Sequence, residues 1–170
     1  RCAVAHYRGT LADYEQAAQM VDQMFKRAPQ SPHSFLARAK LRSIFHEFDQ
    51  ALADLAQAEK LDPETAQVVY DGRAGIFTAL GKSDEALAMY QQISARRPDT
   101  STMGLLAGLL ADRGQVAAAD DLFMKAQLRF SDVAPFPIAW LYFQHGLMWE
   151  QAGNLPRARE HVCEAVAVLD

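Results

Sequence analysis

Apolar side chains recur along this chain with helical spacing, and the recurrence is interrupted at regular intervals. Tyr70, Arg73, Ala74 and Phe77 fall at i, i+3, i+4 and i+7, which is one face of a helix. After Gly81 the same spacing returns with Ala86, Tyr90 and Ile93. The pattern predicts two helices of roughly 14 residues joined by a short glycine turn, an αα-hairpin. A glycine suits that turn because a left-handed backbone is cheap there only without a Cβ. Ser83-Asp84-Glu85 then supplies a capping hydroxyl and two carboxylates at the positive end of the next helix. Ser31-Pro32 is expected to open a helix in the same way, with proline at the first helical position.

The hairpin is one of several. The small residues Ala17, Ala51, Ala86, Ala119 and Ala158 follow one another at spacings of 34, 35, 33 and 39. Each is followed by a chain break, at Pro29, Pro63, Pro98, Ser131 and the last residue, Asp170. Gly81, Gly114 and Gly153 hold the same turn in three of the units. A fixed period of this length marks a helical-repeat architecture.

The repeated unit resembles the tetratricopeptide repeat (TPR). The second unit carries the pattern with Phe35, Ala39, Ala51, Leu55, Ala58 and Pro63. The third does so with Tyr70, Ala74, Phe77, Gly81, Ala86, Tyr90 and Pro98. The fourth has Met103, Leu106-Ala107, Leu110, Gly114, Ala119, Phe123 and Ala126. The fifth has Tyr142, Gly146, Trp149, Gly153, Ala158, Val162 and Ala165, and the first enters inside its own first helix at Val4-Ala5. The resemblance implies an all-α fold, a right-handed superhelical α-solenoid of antiparallel helix pairs. About ten helices would make a single domain over 1–170, with repeats near 1–31, 32–65, 66–99, 100–134 and 135–170. Three arginines depart from the pattern: Arg8 and Arg42 at a mid-helix aromatic position, and Arg38 in place of the usual Leu. The long last spacing is assigned to "SDVAPFPI", Ser131 to Ile138, read as a rigid two-proline loop.

In such solenoids the first helices line a concave groove and the second helices form the back. The resemblance therefore places Cys2 and His6 in the groove, then His33, Leu36, Lys40 and Ser43, then Val68, Asp71, Gly75 and Thr78. It continues with Ser101, Gly104, Gly108 and Asp112, and ends with Trp140, Phe143, Leu147 and Glu150. Gly75, Gly104 and Gly108 have two readings: close packing between helices, or an open channel for a ligand. Trp140, Phe143 and Leu147 are either core or exposed anchors of the kind that dominate interfaces. Chaperone-binding members of the family clamp a carboxylate with several cations. Here only Lys40 is cationic, so no chaperone-tail clamp is expected. With Asp71, Asp112 and Glu150 in the groove, a mixed apolar and basic segment is the expected ligand.

Composition changes little in this picture and removes several alternatives. Half of the 170 residues are hydrophobic, and the net charge of -4 is mild. Scattered Lys and Arg give no footprint for nucleic acid or anionic lipid, and no apolar run approaches a membrane span. Cys2 and Cys163, near opposite ends, are no disulfide framework. They fit a reducing compartment and are compatible with a bacterial periplasm, so a soluble protein is expected with its compartment open.

No phosphate loop, nucleophile elbow, Cys-x-x-Cys or His-Glu-x-x-His occurs. Cys2 and His6 share a helix face, but two ligands do not make a metal site. His145 sits at a packing position and is expected to be buried and hydrogen-bonded. Asp120-Asp121 is read as solvated surface. No catalytic residue, metal or cofactor is expected. The last helix carries more apolar residues than one neighbour buries. Val162, Val166 and Leu169 are therefore expected to form an end interface, either for a second copy of the chain or as the edge of a longer chain that this sequence is a piece of. The favoured function is a non-catalytic scaffold that binds a peptide or helical segment in its groove. A self-associating platform and a docking segment of a larger protein are the alternatives.

Overall fold

The computed structural model describes residues 11–169, and the positions read above as Cys2, His6 and Arg8 lie outside them. Among the described residues there are nine α-helices and no strand. They are α1 (Leu11–Arg27), α2 (Pro32–Ile44), α3 (Phe48–Leu61), α4 (Ala66–Ala79), α5 (Ser83–Arg96), α6 (Thr100–Asp112), α7 (Val116–Arg129), α8 (Pro135–Gln151) and α9 (Leu155–Ala167), with a 3-10 turn at Pro63–Thr65 before α4. The chain divides into two compact units, Arg1–Lys82 and Ser83–Asp170.

Among the described residues, one turn geometry between successive helices recurs four times. Gly81, Gly114 and Gly153 have φ of 70°, 72° and 77°. The residue after each donates its N–H five positions back: Lys82 to Phe77 O at 2.9 Å, Gln115 to Leu110 O at 3.0 Å, Asn154 to Trp149 O at 2.8 Å. This closure satisfies carbonyls that a helix end leaves orphaned. The second repeat makes the same turn without glycine. His46 takes φ 62°, and Glu47 N donates to Arg42 O at 2.9 Å.

Helix starts follow the sequence less closely. Ser31 occupies the capping position before Pro32, yet its hydroxyl makes no capping bond. Ser83 is itself the first residue of α5, with Asp84 and Glu85 in the opening turn. The side chains that do cap are Asp99, which accepts from Thr102 N at 2.9 Å, and Asn154, which accepts from Arg157 N at 3.3 Å. The stretch read as a two-proline loop is helical from Pro135 onward. Both prolines stand in the first turn of α8, where a missing N–H costs nothing. The long fifth spacing therefore lengthens α8 to 17 residues, against 13 for α2 and α6.

All five phase-marking alanines, Ala17, Ala51, Ala86, Ala119 and Ala158, are buried. In the first unit Ala39, Ala51, Leu55, Ala58, Val69 and Ile76 form one cluster, with Phe35 and Phe48 packed against it. Ala17, Val21 and Leu41 form a second, with Phe25 beside it. In the second unit Met103, Ala107, Ala119, Phe123, Ala126, Ile138, Leu141 and Met148 make the core. Alanine at the crossing points lets helix backbones approach, and the larger side chains fill the space beside them.

Candidate partner-binding faces

In the first unit, α2, α3 and α4 enclose a cleft of about 500 Å³. Leu36, Lys40 and Ser43 come from α2, and Val68, Asp71, Gly75 and Ala79 from α4. Four residues expected in a groove, Leu36, Lys40, Asp71 and Gly75, thus line one concavity, while His33 is exposed and outside its lining. Phe48 and Leu55 of α3 also line it, although the repeat pattern assigned second helices to the back. They reach it because Gly72 brings α4 close: a Cβ there would lie 3.2 Å from Leu55 Cδ1. Lys40 is exposed at the cleft. Asp71 accepts from Gln67 Nε2 at 2.8 Å.

The second unit treats its glycines differently. Gly104 is buried, and a Cβ there would collide with Leu141 Cδ2 and meet Trp140 Cζ3 at 3.0 Å. Close helix packing, not an open channel, explains this glycine. At Gly108 a Cβ would meet nothing within 4 Å, so that backbone does face open space. Trp140 is 39% exposed and Phe143 45%, with Leu147 half-buried and Glu150 exposed. This side of α8 is therefore a surface, and Leu141, Gly146 and Met148 take the core positions.

No family model and no curated protein matches the chain. Solved structures do. One chain of the APC/C hetero-tetramer Cut9–Hcn1 superposes with a TM-score of 0.78 at 16% identity, over 98% of this chain and 31% of that one. The sequence here thus spans about a third of that relative. MamA from Desulfovibrio magneticus RS-1 gives 0.65 at 16% identity, over 98% and 89% of the two chains. YrrB, described as a TPR protein with an unusual peptide-binding site, gives 0.61 at 15% identity, over 96% and 82%. The chain has the TPR fold. At these identities the likeness is one of fold alone.

Within its two units the TPR chain buries two polar clusters that its repeat pattern did not announce. In the first, Asp54 of α3 is 3% exposed and meets two guanidiniums. Arg38 donates from Nε at 2.9 Å and from NH2 at 2.7 Å to opposite carboxylate oxygens, and Arg42 donates from NH1 at 2.6 Å. The Arg38 guanidinium also lies 4.0 Å from the Phe25 ring centroid. Arg38 and Arg42 look like errors in the motif until Asp54, in the middle of the partner helix, is placed between them. The hydrogen bonds that Arg38 donates to Asp54 raise the Arg38 pKa further, so its guanidinium keeps its charge.

In the second, His145 of α8 is fully buried, as expected. Its Nε2 lies 2.7 Å from Asp120 Oδ1 and its Nδ1 3.2 Å from Gln127 Nε2. Asp120 is therefore not solvated surface. It turns inward to His145, and Arg157 NH1 stands 3.6 Å from its other oxygen. Asp121 next to it does face water and pairs with Lys125 at 2.6 Å. The His161 ring lies 3.8 Å from the His145 ring, centroid to centroid, and nearly parallel to it, and Phe123 stacks on His145 at 4.9 Å. His161 was not foreseen as part of any cluster. Burial pushes both imidazoles below their ordinary value of 6.5, in His145 against the opposing pull of Asp120.

At the end of the second unit, Val166 and Leu169 are exposed as expected, while Val162 is shared: its Cγ2 would be 2.9 Å from a Cβ at Gly146. Among the described residues no group of three or more His, Cys, Asp or Glu is arranged to hold a metal ion. No helix among them is long and apolar enough to cross a membrane.

Proposed function

We propose that this chain is a non-catalytic protein-interaction scaffold that takes a short segment of a partner protein in the cleft of its first unit. The observation that carries the reading is the cleft itself. An apolar concavity of about 500 Å³, with exposed Lys40 and half-buried Asp71 in its lining, offers room for one or two apolar side chains and polar orientation for the backbone that bears them. The exposed Trp140 and Phe143 supply a second anchoring surface in the second unit, near acidic Glu150. The peptide-binding site named for YrrB and the hetero-tetramer named for Cut9–Hcn1 support interaction as the use of this fold.

The test is capture of partners from host lysate by the chain and by Gly75→Leu and Trp140→Ala variants, with helicity checked by circular dichroism. Gly75→Leu places a large side chain at the cleft wall and replaces a poor helix former with a good one. A partner held by the parent chain and lost by Gly75→Leu supports the cleft. Retention by Gly75→Leu with loss by Trp140→Ala moves the site to α8, and retention by both rejects this reading.

A second reading, self-association through the end of the second unit, is favoured by exposed Val166 and Leu169. It requires a molar mass that rises with concentration and falls back in Val166→Asp. A concentration-independent monomer excludes it.

A further inference from the structure

The stacked histidines of α8 and α9 do more than fill space. With the Gln127 amide nitrogen facing Nδ1, both nitrogens of His145 are satisfied by the neutral ring. Nε2–H donates to Asp120 Oδ1 at 2.7 Å, and Nδ1, without a proton, accepts from the Gln127 amide at 3.2 Å. A second proton on Nδ1 would set one N–H against another until the amide turned over. His161 Nδ1 is buried with no hydrogen-bond partner, so a proton added there gains no acceptor. The two rings are 3.8 Å apart, and charging both would stack a cation on the half-buried His161 against one on the fully buried His145.

We propose that the His145–His161 stack is an acid-sensitive latch, holding α9 against α8 at neutral pH and releasing it under mild acid. The surroundings allow one proton and resist two. From α7, Asp120 attracts a charge on His145. From α9, Arg157 repels charge on both rings, and Glu160 and Glu164 attract it toward His161. Tyr142, on α8 itself, stacks near His161. From α6 the side chains that join the core with α8, Met103 and Ala107, are apolar. Both rings bind protons less readily when packed than when free. The docked hairpin therefore has its full stability above about pH 6.5 and loses it as pH falls below that value.

Two measurements on the whole chain test the latch. Imidazole nitrogen NMR should show His145 neutral, with the proton on Nε2, at pH 7. Hydrogen exchange, corrected for its intrinsic pH dependence, should show α9 amides opening more as pH falls from 6.5 to 5. The rise is about tenfold per pH unit for each proton taken up. Amides of α2, α3 and α4 should stay protected, and His161→Phe, which keeps the stack and removes one titrating ring, should flatten the rise. The proposal fails if His145 is an imidazolium at pH 7, if α9 protection is flat to pH 5, or if α2–α4 open in step with α9. It also fails if His161→Phe opens as steeply as the parent. The two readouts on the unaltered chain decide the matter even where the variant folds poorly.

Discussion

The two units bury polar groups by opposite means. The first neutralises a buried carboxylate with permanent charges: Asp54 lies between Arg38 and Arg42, and no proton near neutral pH alters either guanidinium. The second buries an imidazole, His145, whose burial holds its pKa below the ordinary 6.5. One cluster ties α2 to α3 through two guanidiniums on one carboxylate, and the other makes the seating of α9 conditional. Their glycines differ too. Gly75 lines the cleft of the first unit, whereas the space beside Gly104 of the second is filled by its neighbours Leu141 and Trp140. The same repeat chemistry thus gives a concavity in one unit and a packed seam with an aromatic surface in the other.

The largest expected effect comes from unbalancing the first cluster. Asp54→Ala leaves two guanidiniums without their buried partner and should cost about 3–5 kcal/mol, read from urea unfolding. A loss below about 1 kcal/mol would mean that both arginines swing into water and that the cluster does not set register. Gly104→Ala should cost about 1–3 kcal/mol by overpacking the seam against Leu141. Gly108→Ala, one turn further along α6, should do the reverse. With nothing within 4 Å of the new Cβ, it should gain up to about 1 kcal/mol from helix propensity. Equal and opposite signs at two glycines of one helix would confirm the packed seam, while two gains would remove it. The smallest effect is Asp121→Ala, about 0.5 kcal/mol or less for an exposed pair with Lys125. A larger loss there would show that the pair, rather than its neighbour Asp120, reaches the core.

The helices, their pairing and the glycine turns were legible in the sequence because each rests on local spacing. Ala17, Ala51, Ala86, Ala119 and Ala158 marked the crossings correctly, since a crossing needs a small residue whatever surrounds it. The α8 surface was half legible: a stripe of Trp140, Phe143 and Leu147 shows which residues share a face but not whether that face meets helix or water. What stayed hidden depends on partners distant in sequence. Arg38 and Asp54 are 16 apart, and Asp120 and His145 are 25 apart, so neither period nor composition pairs them. Asp120 and Asp121 are chemically identical neighbours, and only the helix phase sends one inward. A clue was available in the two arginines that broke the second repeat, because a buried cation demands an acid opposite.

The four left-handed turns also govern time. Each joins two helices through so few residues that the chain closes on itself with little loss of entropy, and contacts close in sequence form fast. Three of these closures cost their backbone almost nothing, while the fourth asks His46 to enter a region that a side chain resists. The α2–α3 hairpin is therefore expected to close more slowly than the glycine-turned ones. His46→Gly should quicken its formation and leave the rate of unfolding little changed, provided the turn is already made at the barrier.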